Sequence, residues 1–454
     1  MSVTSRREFL KTSAAIGAGY WVAAGVQGAE SRSPNERIAM ASIGVEGKGH
    51  SDSDDAGKHG DMVAICDVDV NRLNQAGEKR FPKAKRYTDF RKMLEEMRES
   101  IDAVTVSTAD HTHAPASLMA MRMGKHCFCQ KPLTRTIYEA RLMGQVAREM
   151  KVATQMGNQG TASDGLRRGA ALLRAGALGT VKEIHIWTNR PIWPQGQDRP
   201  QGEDPLPADL EWDLWLGPAP VRPFKAKYPE GSLAGKPVYH PFVWRGWWDF
   251  GSGALGDMGC HEINMVFMGL DLRNPATVQA VTSGHNRDSF PAWSIVTYQF
   301  AATANRPAVK LVWYDGGKKP SAEVLEGKET GASGSVIIGE DGKAIGGSRA
   351  LGSDAKEVEF PKSPGHFEEW VRAIKGGEPA MSNFPDYAGP LAETVLLGNL
   401  AVWAAHEVNA KLGDEPAAQG ETIEWDAEKL QAKNVSGLEG LIKPAYRAGY
   451  TLDV

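Results

Sequence analysis

The sequence predicts an α/β fold in which a doubly wound parallel sheet is followed by a domain with a large, mostly antiparallel open sheet. Between residues 37 and 155, short apolar runs alternate with helical patterns, as they do when crossover helices join parallel strands. A glycine-rich turn closes the first of these runs. Beyond residue 270, four strand-like runs follow one another without a helical pattern between them.

In the first half, five runs predict strands and three patterns predict helices. The predicted strands are 38–43, 62–66, 103–107, 126–129 and 152–155, and the predicted helices are 90–97, 114–123 and 137–150. The run 51–55 is rich in Ser and Asp, which begin helices well, and predicts the start of a further helix. In a sheet of this kind, ligands bind at the carboxyl ends of the strands.

The second half has a different pattern. Strands are predicted at 181–188, 276–283, 293–300, 308–314 and 334–338, and helices at 253–268, 366–374 and 390–408. Residues 191–241 are rich in Pro, Gly and Trp and predict a long irregular excursion, which in a compact domain is usually functional or forms an interface. Most of the 13 Trp residues follow residue 185, which indicates a large aromatic core or a sugar-stacking cleft, and the core is favoured.

Composition excludes several classes of protein. The chain has 454 residues, with 41% hydrophobic and 24% charged residues, which is ordinary for a soluble globular protein. A net charge of -4 gives no indication of nucleic acid or an anionic membrane as a partner. The four cysteines do not make a disulfide framework, and no spacing resembles a zinc site, so no metal is predicted.

The chain begins with a twin arginine, Arg6-Arg7, ahead of a short apolar stretch at 14–29. This pattern is typical of a twin-arginine export signal, so we expect residues 1–29 to be a leader read by the twin-arginine export machinery. The protein is then expected in the periplasm, or attached to the membrane and facing the periplasm if the leader is not cleaved. The predicted domains are 36–156 and 157–454.

The glycine turn after the first strand reads Gly44-Val45-Glu46-Gly47-Lys48-Gly49. The dinucleotide fingerprint has Gly at its first, third and sixth positions, whereas Glu46 occupies the third position here. The acids of 51–55 would compete with a phosphate for the helix N-terminus, and an ordinary βα turn stays an alternative. Asp67, which closes the second strand, is placed to bind the adenosine ribose and would repel a 2′-phosphate, so NAD is favoured over NADP. A turn aspartate is the alternative for Asp67.

Three further motifs carry a family resemblance. They are Cys129-Gln130-Lys131-Pro132-Leu133-Thr134, Gln155-Met156-Gly157-Asn158-Gln159-Gly160, and the run from Gly251-Ser252-Gly253 to Asp257-Met258-Gly259-Cys260-His261. Together with the glycine turn and Asp67, they resemble the Gfo/Idh/MocA family, named for glucose–fructose oxidoreductase and inositol dehydrogenase, and most closely its exported twin-arginine members. The resemblance runs from about residue 37 nearly to the C-terminus. It implies a Rossmann domain, an α/β domain with an open sheet, and a homodimer or homotetramer.

By this resemblance, Lys131, Asp257 and His261 form the catalytic group. Asp257 and His261 are four residues apart and share a helix face, so the carboxylate is expected to orient the imidazole and raise its pKa toward neutrality. His261 would take a hydroxyl proton while hydride leaves the same carbon, and Lys131 would bind the substrate oxygen. Taken alone, the pair could be a surface ion pair and Lys131 a solvated turn lysine. Gln130 departs from the family pattern, in which Glu is commoner.

The remaining site residues are predicted from their places in the motifs. The predicted cofactor contacts are Gly44, Glu46, Gly47, Lys48, Gly49, Asp67, Thr108, His111, His113, Gln130, Lys131 and Asn158. The predicted substrate contacts are Lys131, Gln159, Arg190, His240, Trp244, Asp257 and His261. Sugar rings stack on Trp, and Arg190 is suited to a carboxylate. Arg190, His240 and Trp244 belong to two runs that mix aromatic with polar side chains, 187–194 and 239–248, and packing of long loops explains the two runs equally well.

These features lead to one principal interpretation and two alternatives. The first is an exported oxidoreductase that moves a hydride between a secondary alcohol of a sugar or polyol and a tightly bound NAD, since no pool of NAD exists outside the cytoplasm. The second is a redox-neutral glycoside hydrolase or epimerase that oxidises its substrate transiently. The third is a carbohydrate-binding relative without catalysis, which Glu46 and the acidic helix start would support. The presence of both Lys131 and His261 argues against the third.

Overall fold

The structure is a computed structural model, and it describes residues 37–346, 351 and 357–452. The twin arginine and the apolar stretch at 14–29 lie outside the described residues, so the leader stays a prediction. Within the described part of the chain, no helix is long and apolar enough to cross a membrane.

The first sheet has six parallel strands in the order β3-β2-β1-β4-β5-β6. They are β1 (Ile38–Ile43), β2 (Gly60–Cys66), β3 (Lys85–Tyr87), β4 (Ala103–Val106), β5 (His126–Cys129) and β6 (Thr154–Met156). The order reverses between β1 and β4, which opens a crevice at their carboxyl ends. The doubly wound parallel sheet predicted from the sequence is therefore confirmed, although β3, a short polar edge strand, was not predicted.

Five helices cover this sheet: α1 (Lys48–His59), α2 (Val70–Lys79), α3 (Phe90–Glu96), α4 (Asp110–Arg122) and α5 (Ile137–Met150). The prediction that 51–55 begins the first helix is wrong, because α1 begins at Lys48 with Gly47 as its N-cap. Helix α4 begins four residues before its predicted start and continues through Pro115. Asp110 and His111 consequently lie in the first turn of a helix rather than in a loop.

The second sheet is larger, and among the described strands all neighbours are antiparallel except β7 and β10. Its central path runs β12-β11-β7-β10-β9-β8-β14-β13, and β15 joins β8 and β16. The strands are β7 (Val181–Trp187), β8 (Thr277–Thr282), β9 (Ser294–Phe300), β10 (Val309–Tyr314), β11 (Gly334–Gly339), β12 (Gly342–Ile345), β13 (Ala410–Leu412), β14 (Glu415–Gln419), β15 (Ile423–Asp426) and β16 (Gln431–Ala432). The predicted open, mostly antiparallel sheet is confirmed.

The second half of the described chain has seven α-helices. They are α6 (Asp164–Arg174), α7 (Trp212–Leu216), α8 (Gly253–Glu262), α9 (Asn264–Leu270), α10 (His366–Ile374), α11 (Gly389–Ala404) and α12 (Glu439–Ile442). The predicted helix 253–268 is two helices that break at Ile263. Helix α11 is apolar on nearly all sides and packs between α5 and the second sheet, so both halves share one continuous core.

The excursion after β7 has its own aromatic core. Trp212 and Trp215 stack with their ring centroids 4.6 Å apart, and Tyr239, Trp247 and Phe250 pack around them. Most of the Trp-rich region is therefore core, as predicted. This lobe also pairs with the first domain, because the Val70 amide donates to the Asp209 carbonyl oxygen at 2.8 Å. The excursion thus forms a wall that faces the carboxyl ends of the parallel strands.

The polar C-terminal segment returns to the first domain. The Arg91 guanidinium lies 4.3 Å from the centre of the Tyr450 ring and donates to the Gly449 carbonyl oxygen at 3.1 Å. Arg447 pairs with Asp213 of α7 at 2.7 Å. The segment therefore bridges α3 and the excursion at the edge of the crevice.

Candidate functional site

A cleft of about 700 Å³ lies at the carboxyl ends of β1, β2, β4 and β5. Its walls are the glycine turn, the ends of these strands, helix α8, the excursion and Tyr450. The volume falls within the roughly 300–1,000 Å³ that is usual for ligand pockets. The cleft lies where the sequence predicted a ligand, at the carboxyl ends of the strands.

The glycine turn is a tight cradle that side chains would fill. Gly44 has a φ of 81°, and a Cβ there would lie 2.7 Å from the Ser107 carbonyl oxygen. A Cβ on Gly49 would lie 2.1 Å from the Gly44 carbonyl oxygen. Glu46 lines the cleft at the third position, and its carboxylate contacts Arg80 at 3.2 Å. The turn therefore fits the close approach of a dinucleotide pyrophosphate in spite of Glu46.

The structure does not support the predicted competition between the acids of 51–55 and a phosphate for the helix N-terminus. Asp54 contacts Arg80 at 2.9 Å, and Asp55 contacts Lys58 at 2.7 Å. Asp52 is buried and points away from solvent. Because α1 begins at Lys48, these acids lie beyond its first turn, and the helix N-terminus stays available to an anion.

The buried Asp52 carboxylate joins three parts of the site. It accepts hydrogen bonds from Lys48 Nζ at 2.6 Å, Ser107 Oγ at 2.7 Å and Gln130 Nε2 at 2.9 Å. Gln130 suits this contact, whereas a Glu at this position would press a second carboxylate against Asp52. Gln130 Oε1 also accepts a hydrogen bond from the Lys131 amide at 3.3 Å, so Gln130 holds the backbone at Lys131 in place.

Asp67 lies at the end of β2 and lines the cleft. Its oxygens accept hydrogen bonds from the Val45 and Asp69 amides, both at 3.0 Å. Burial raises the pKa of Asp67, against the opposing effect of these two amides. Each oxygen keeps a lone pair for a further donor, which suits a ribose hydroxyl.

Lys131 and Asp257 form an ion pair on the cleft wall. Lys131 Nζ lies 2.7 Å from Asp257 Oδ1 and 2.9 Å from the Asp257 carbonyl oxygen. Burial alone would raise the pKa of Asp257, but the charge and hydrogen bond of Lys131, with Arg245 and Arg190, lower it. The carboxylate is consequently ionised and fixes the lysine at the end of β5.

His261 lines the same cleft, but its predicted partnership with Asp257 is wrong. The imidazole has no hydrogen-bond partner among the residues that the structure describes, and the Asp257 carboxylate pairs with Lys131 instead. Burial, followed by the charge of Lys131, lowers the pKa of His261 to about 4, and the attraction of Asp257 does not reverse this. His261 is therefore neutral at physiological pH, with one ring nitrogen free to accept a proton.

The two histidines that follow β4 have different positions. His111 lines the cleft, yet its ring nitrogens face the carbonyl oxygens of Phe250 at 3.1 Å and Trp215 at 2.9 Å. His113 is buried behind the cleft wall between the carbonyl oxygens of Pro132 and Thr108. We therefore correct the predicted cofactor contact of His113, which instead holds the turn that follows Lys131.

Three other predicted residues are not on the cleft wall. The Asn158 side chain is buried and accepts from Ser382 Oγ at 2.6 Å, and Gln159 is exposed at the start of a short 3₁₀ turn. Both follow β6, where the chain turns away from the cleft toward α6. Gly49 acts through its close approach to Gly44 rather than by lining the cleft.

The remaining predicted residues line the cleft as a group: Gly44, Glu46, Gly47, Lys48, Asp67, Thr108, His111, Gln130, Lys131, Arg190, His240, Trp244, Asp257 and His261. Trp244 is nearly buried, and His240 bonds Asp69 at 3.2 Å. The structure adds wall residues that were not among the predicted contacts: Ser107, Asp110, Trp193, Phe242, Arg245 and Tyr450. Arg245 follows Trp244 in the same run of aromatic and polar residues, and this position in the sequence could have identified it as a wall residue.

Asp110 is the added residue with the most unusual environment. It is buried at the start of α4 and accepts from Ser252 Oγ at 2.6 Å. Burial is the main cause that raises its pKa to about 7, although Ser252, Arg245 and Lys131 oppose the shift. The cleft thus holds a carboxyl group that is partly protonated near neutrality.

Comparison with known proteins identifies the family. Residues 37–158 match the NAD-binding Rossmann fold of the Gfo/Idh/MocA oxidoreductase family, and residues 180–375 match the C-terminal alpha/beta domain of that family. Together the two matches cover well over half of the chain. The chain belongs to the Gfo/Idh/MocA oxidoreductase family, and its first domain is an NAD-binding Rossmann domain.

Curated relatives match over shorter stretches. Inositol 2-dehydrogenase of Salmonella typhimurium is 24% identical over 126 residues, which is 28% of this chain and 37% of that protein. D-apiose dehydrogenase of Paraburkholderia graminis is 30% identical over 26% of this chain and 31% of its own length. A glycosyl hydrolase family 109 protein of Solibacter usitatus is 30% identical over 31% and 35%. The chain thus spans little more than a third of the curated relatives it matches.

Solved structures share the fold over most of the chain. The WlbA dehydrogenase from Bordetella pertussis, in complex with NADH and UDP-GlcNAcA, has a TM-score of 0.56 at 15% identity and covers 83% of this chain and 100% of its own. Aldose-aldose oxidoreductase from Caulobacter crescentus has a TM-score of 0.52 at 16% identity, with coverage of 81% and 98%. At these identities the likeness concerns the fold.

The contact between Gln130 and Asp52 gives a test of the site's construction. Gln130→Glu places a second carboxylate against buried Asp52, and we expect the free energy of unfolding at neutral pH to fall by about 2–4 kcal/mol, with weaker NAD binding. The measurement is urea unfolding together with an NAD titration.

In the double variant Gln130→Glu with Asp52→Asn, the amide at position 52 can donate to the carboxylate at position 130. We therefore expect the double variant to recover most of the lost free energy of unfolding. Asp52→Asn alone serves as the control for the loss of the Lys48 contact. Wild-type stability in the single Gln130→Glu variant would contradict this account of the site.

Proposed function

We propose that this member of the Gfo/Idh/MocA oxidoreductase family is an NAD-dependent dehydrogenase that acts on a secondary alcohol of a sugar or polyol. The observation that carries the proposal is that Lys131 and His261 line the same cleft as the glycine turn and Asp67. The relatives named as dehydrogenases of inositol and of D-apiose support this substrate class.

The residues present fit NAD. The glycine turn and the N-terminus of α1 would hold the pyrophosphate, and Asp67 would accept from the adenosine ribose. A carboxylate at this place disfavours a 2′-phosphate, which supports NAD over NADP. When bound, NAD supplies the acceptor for the hydride that leaves the alcohol carbon.

The chain's own residues do the remaining work. The Lys131 ammonium, fixed by Asp257, donates to the substrate oxygen and stabilises negative charge there as the O–H bond breaks. His261, neutral and without another partner among the described residues, accepts the hydroxyl proton at a ring nitrogen. In the reverse direction His261 returns that proton to the carbonyl oxygen as the hydride adds to the carbon.

Export and retention of NAD belong to the same proposal. The twin arginine at 6–7 supports export of the folded protein by the twin-arginine machinery to the periplasm. Tyr450 lines the cleft near Asp89 and Phe90, so the C-terminal segment would cover the adenosine end and slow the loss of NAD. Assembly through the large open sheet as a homodimer or homotetramer completes the proposal.

A redox-neutral glycosidase or epimerase is the second candidate. The resemblance to a glycosyl hydrolase family 109 protein favours it, and it would use the same Lys131 and His261 in a transient oxidation. The two candidates differ in their products. A dehydrogenase accumulates reduced nicotinamide or needs a second sugar as oxidant, whereas the redox-neutral enzyme releases a cleaved or epimerised sugar without either.

The test of function is turnover of a sugar and polyol panel by the NAD-loaded protein, followed by nicotinamide absorbance and by product analysis. Lys131→Ala and His261→Ala should each lower kcat by about 10²–10⁴-fold, because each removes a group that acts on the reacting hydroxyl. An unchanged circular dichroism spectrum and retained binding of NAD control for the fold. Full turnover in either variant would refute the assignment.

The pH profile tests the state of His261. Its pKa is lowered to about 4, so the proton-accepting form predominates above that value and is lost as the pH falls through it. We expect the acidic limb of kcat/KM that depends on His261 to lie near pH 4–5. A limb near the ordinary histidine value of about 6.5 would contradict the neutral, unpaired imidazole.

Tyr450 tests retention of NAD. Tyr450→Ala removes a nearly buried ring from the cleft wall, and we expect the dissociation rate of NAD to rise on the order of tenfold, as expected for the loss of buried aromatic area. Tyr450→Phe keeps the ring and should leave the rate unchanged. Equal dissociation rates in Tyr450→Ala and the wild type, measured by trapping released nucleotide, would show that the segment does not retain NAD.

A further inference from the structure

We propose that the substrate of this cleft carries a carboxylate, as hexuronates and aldonates do, and that Arg190 and Arg245 bind it beside Lys131. The inference deepens the proposed function and rests on it for the position of the reacting alcohol. It concerns the class of sugar, which neither the family nor the fold specifies.

Three cations share one carboxylate on the substrate side of the cleft. Lys131 Nζ lies 2.7 Å from Asp257 Oδ1, Arg245 Nε lies 3.5 Å from the same oxygen, and Arg190 Nε lies 3.6 Å from Oδ2. Among the described residues, no other carboxylate lies within ion-pair distance of any of the three. Asp257 compensates a single positive charge, so the wall has an excess of positive charge.

The neighbouring arginines of the excursion are balanced in a way that these are not. Arg199 contacts Asp249 at 2.9 Å and Asp288 at 3.3 Å, and Arg222 contacts Asp249 at 2.7 Å. There, two guanidinium groups share two carboxylates. The contrast shows that uncompensated charge is a property of the cleft wall and not of the excursion in general.

Two other acids lie close enough to influence the cleft, and neither supplies the missing charge in full. Asp110 is bonded to Ser252, and burial raises its pKa to about 7, so it is partly neutral at physiological pH. Burial also raises the pKa of Glu262, which makes no ion pair within 4 Å of Arg190. A bound anion would complete the set.

The two guanidinium groups are held in position and keep donors available. Arg190 Nη1 donates to Asn189 Oδ1 at 2.5 Å, and Arg245 Nη1 donates to the Phe242 carbonyl oxygen at 3.0 Å. Among the described residues, neither Nη2 has a hydrogen-bond acceptor. Arg245 also lies 4.2 Å from the ring centre of Trp244, which fixes its plane. Planar donors of this kind match a carboxylate.

The geometry therefore points to a sugar with a carboxylate at one end and the reacting hydroxyl near Lys131 and His261. The side chains of Arg190 and Arg245 are 25% and 21% exposed, so a ligand in the cleft reaches both. The rings of Trp193 and Phe242 line the same wall and offer an apolar surface to the sugar ring.

The experiment compares matched pairs of substrates on the NAD-loaded full chain. Each pair is a hexuronate and the neutral aldose of the same configuration, in the gluco, galacto and manno series, and kcat/KM is measured for both. We expect the uronate to be preferred by about 10- to 100-fold in the series that is turned over, as charge-assisted hydrogen bonds from two guanidinium groups would give.

Arginine variants assign this preference to residues. Arg190→Gln and Arg245→Gln should each lower kcat/KM for the uronate by about 10- to 100-fold and for the neutral aldose by less than about threefold. If the arginines acted only by positioning Asp257, the variants would lower kcat/KM for both substrates equally. Arg148→Gln, which removes a surface guanidinium outside the cleft, is the matched control and should change neither.

The outcomes separate this inference from the proposed function. Turnover of neutral sugars without preference for uronates, or a preference for sugar phosphates, overturns the proposal of a carboxylate-bearing substrate. The proposed dehydrogenase function would then still stand. Calorimetric binding of uronates that depends on Arg190 and Arg245, without any redox turnover, supports the carboxylate site and overturns the dehydrogenase. Absence of both binding and turnover with every uronate overturns the inference.

Discussion

The ion pair between Lys131 and Asp257 is the contact on which the site depends. Lys131 lies two residues beyond the end of β5 of the first sheet and Asp257 lies in the second turn of α8, so one pair of side chains ties the dinucleotide-binding half to the substrate half. Its partial burial strengthens the attraction and makes an unpaired partner costly. Asp257 pairs with Lys131 and not with His261, whose burial keeps it neutral, and Arg190 and Arg245 share the same single carboxylate and are left incompletely compensated.

The surrounding structure supports this contact from both sides. On the first side, Asp52 connects the glycine turn, the end of β4 and Gln130, so the chain that presents Lys131 is fixed by the same carboxylate that organises the cofactor turn. On the other side, the aromatic core of the excursion holds the wall that carries Arg245. The cofactor and substrate regions are thereby built from one connected set of polar contacts.

Sequence periodicity and motif spacing predicted most of the fold and part of the site. Strands β1, β2, β4 and β5 were predicted because each is a buried apolar run, whereas β3 is three polar residues at an edge and gives no such signal. The spacing of Asp257 and His261 correctly placed both on one helix, but it did not reveal that Lys131, 126 residues earlier, takes the carboxylate. The contacts of Tyr450 with Arg91 and of Asp52 with Ser107 and Gln130 were not predicted for the same reason, since these partners are distant in the chain and only the folded structure brings them together.

The most direct test of this account identifies what the purified protein holds. The mature protein is purified without added nucleotide and denatured, and the released small molecules are identified and quantified by mass spectrometry. The account predicts NAD or NADH at close to one molecule per chain, because the glycine cradle, Asp67 and the C-terminal segment would retain it. Absence of nucleotide, together with no binding when NAD is added, would contradict the redox function and leave a carbohydrate-binding protein on an oxidoreductase fold.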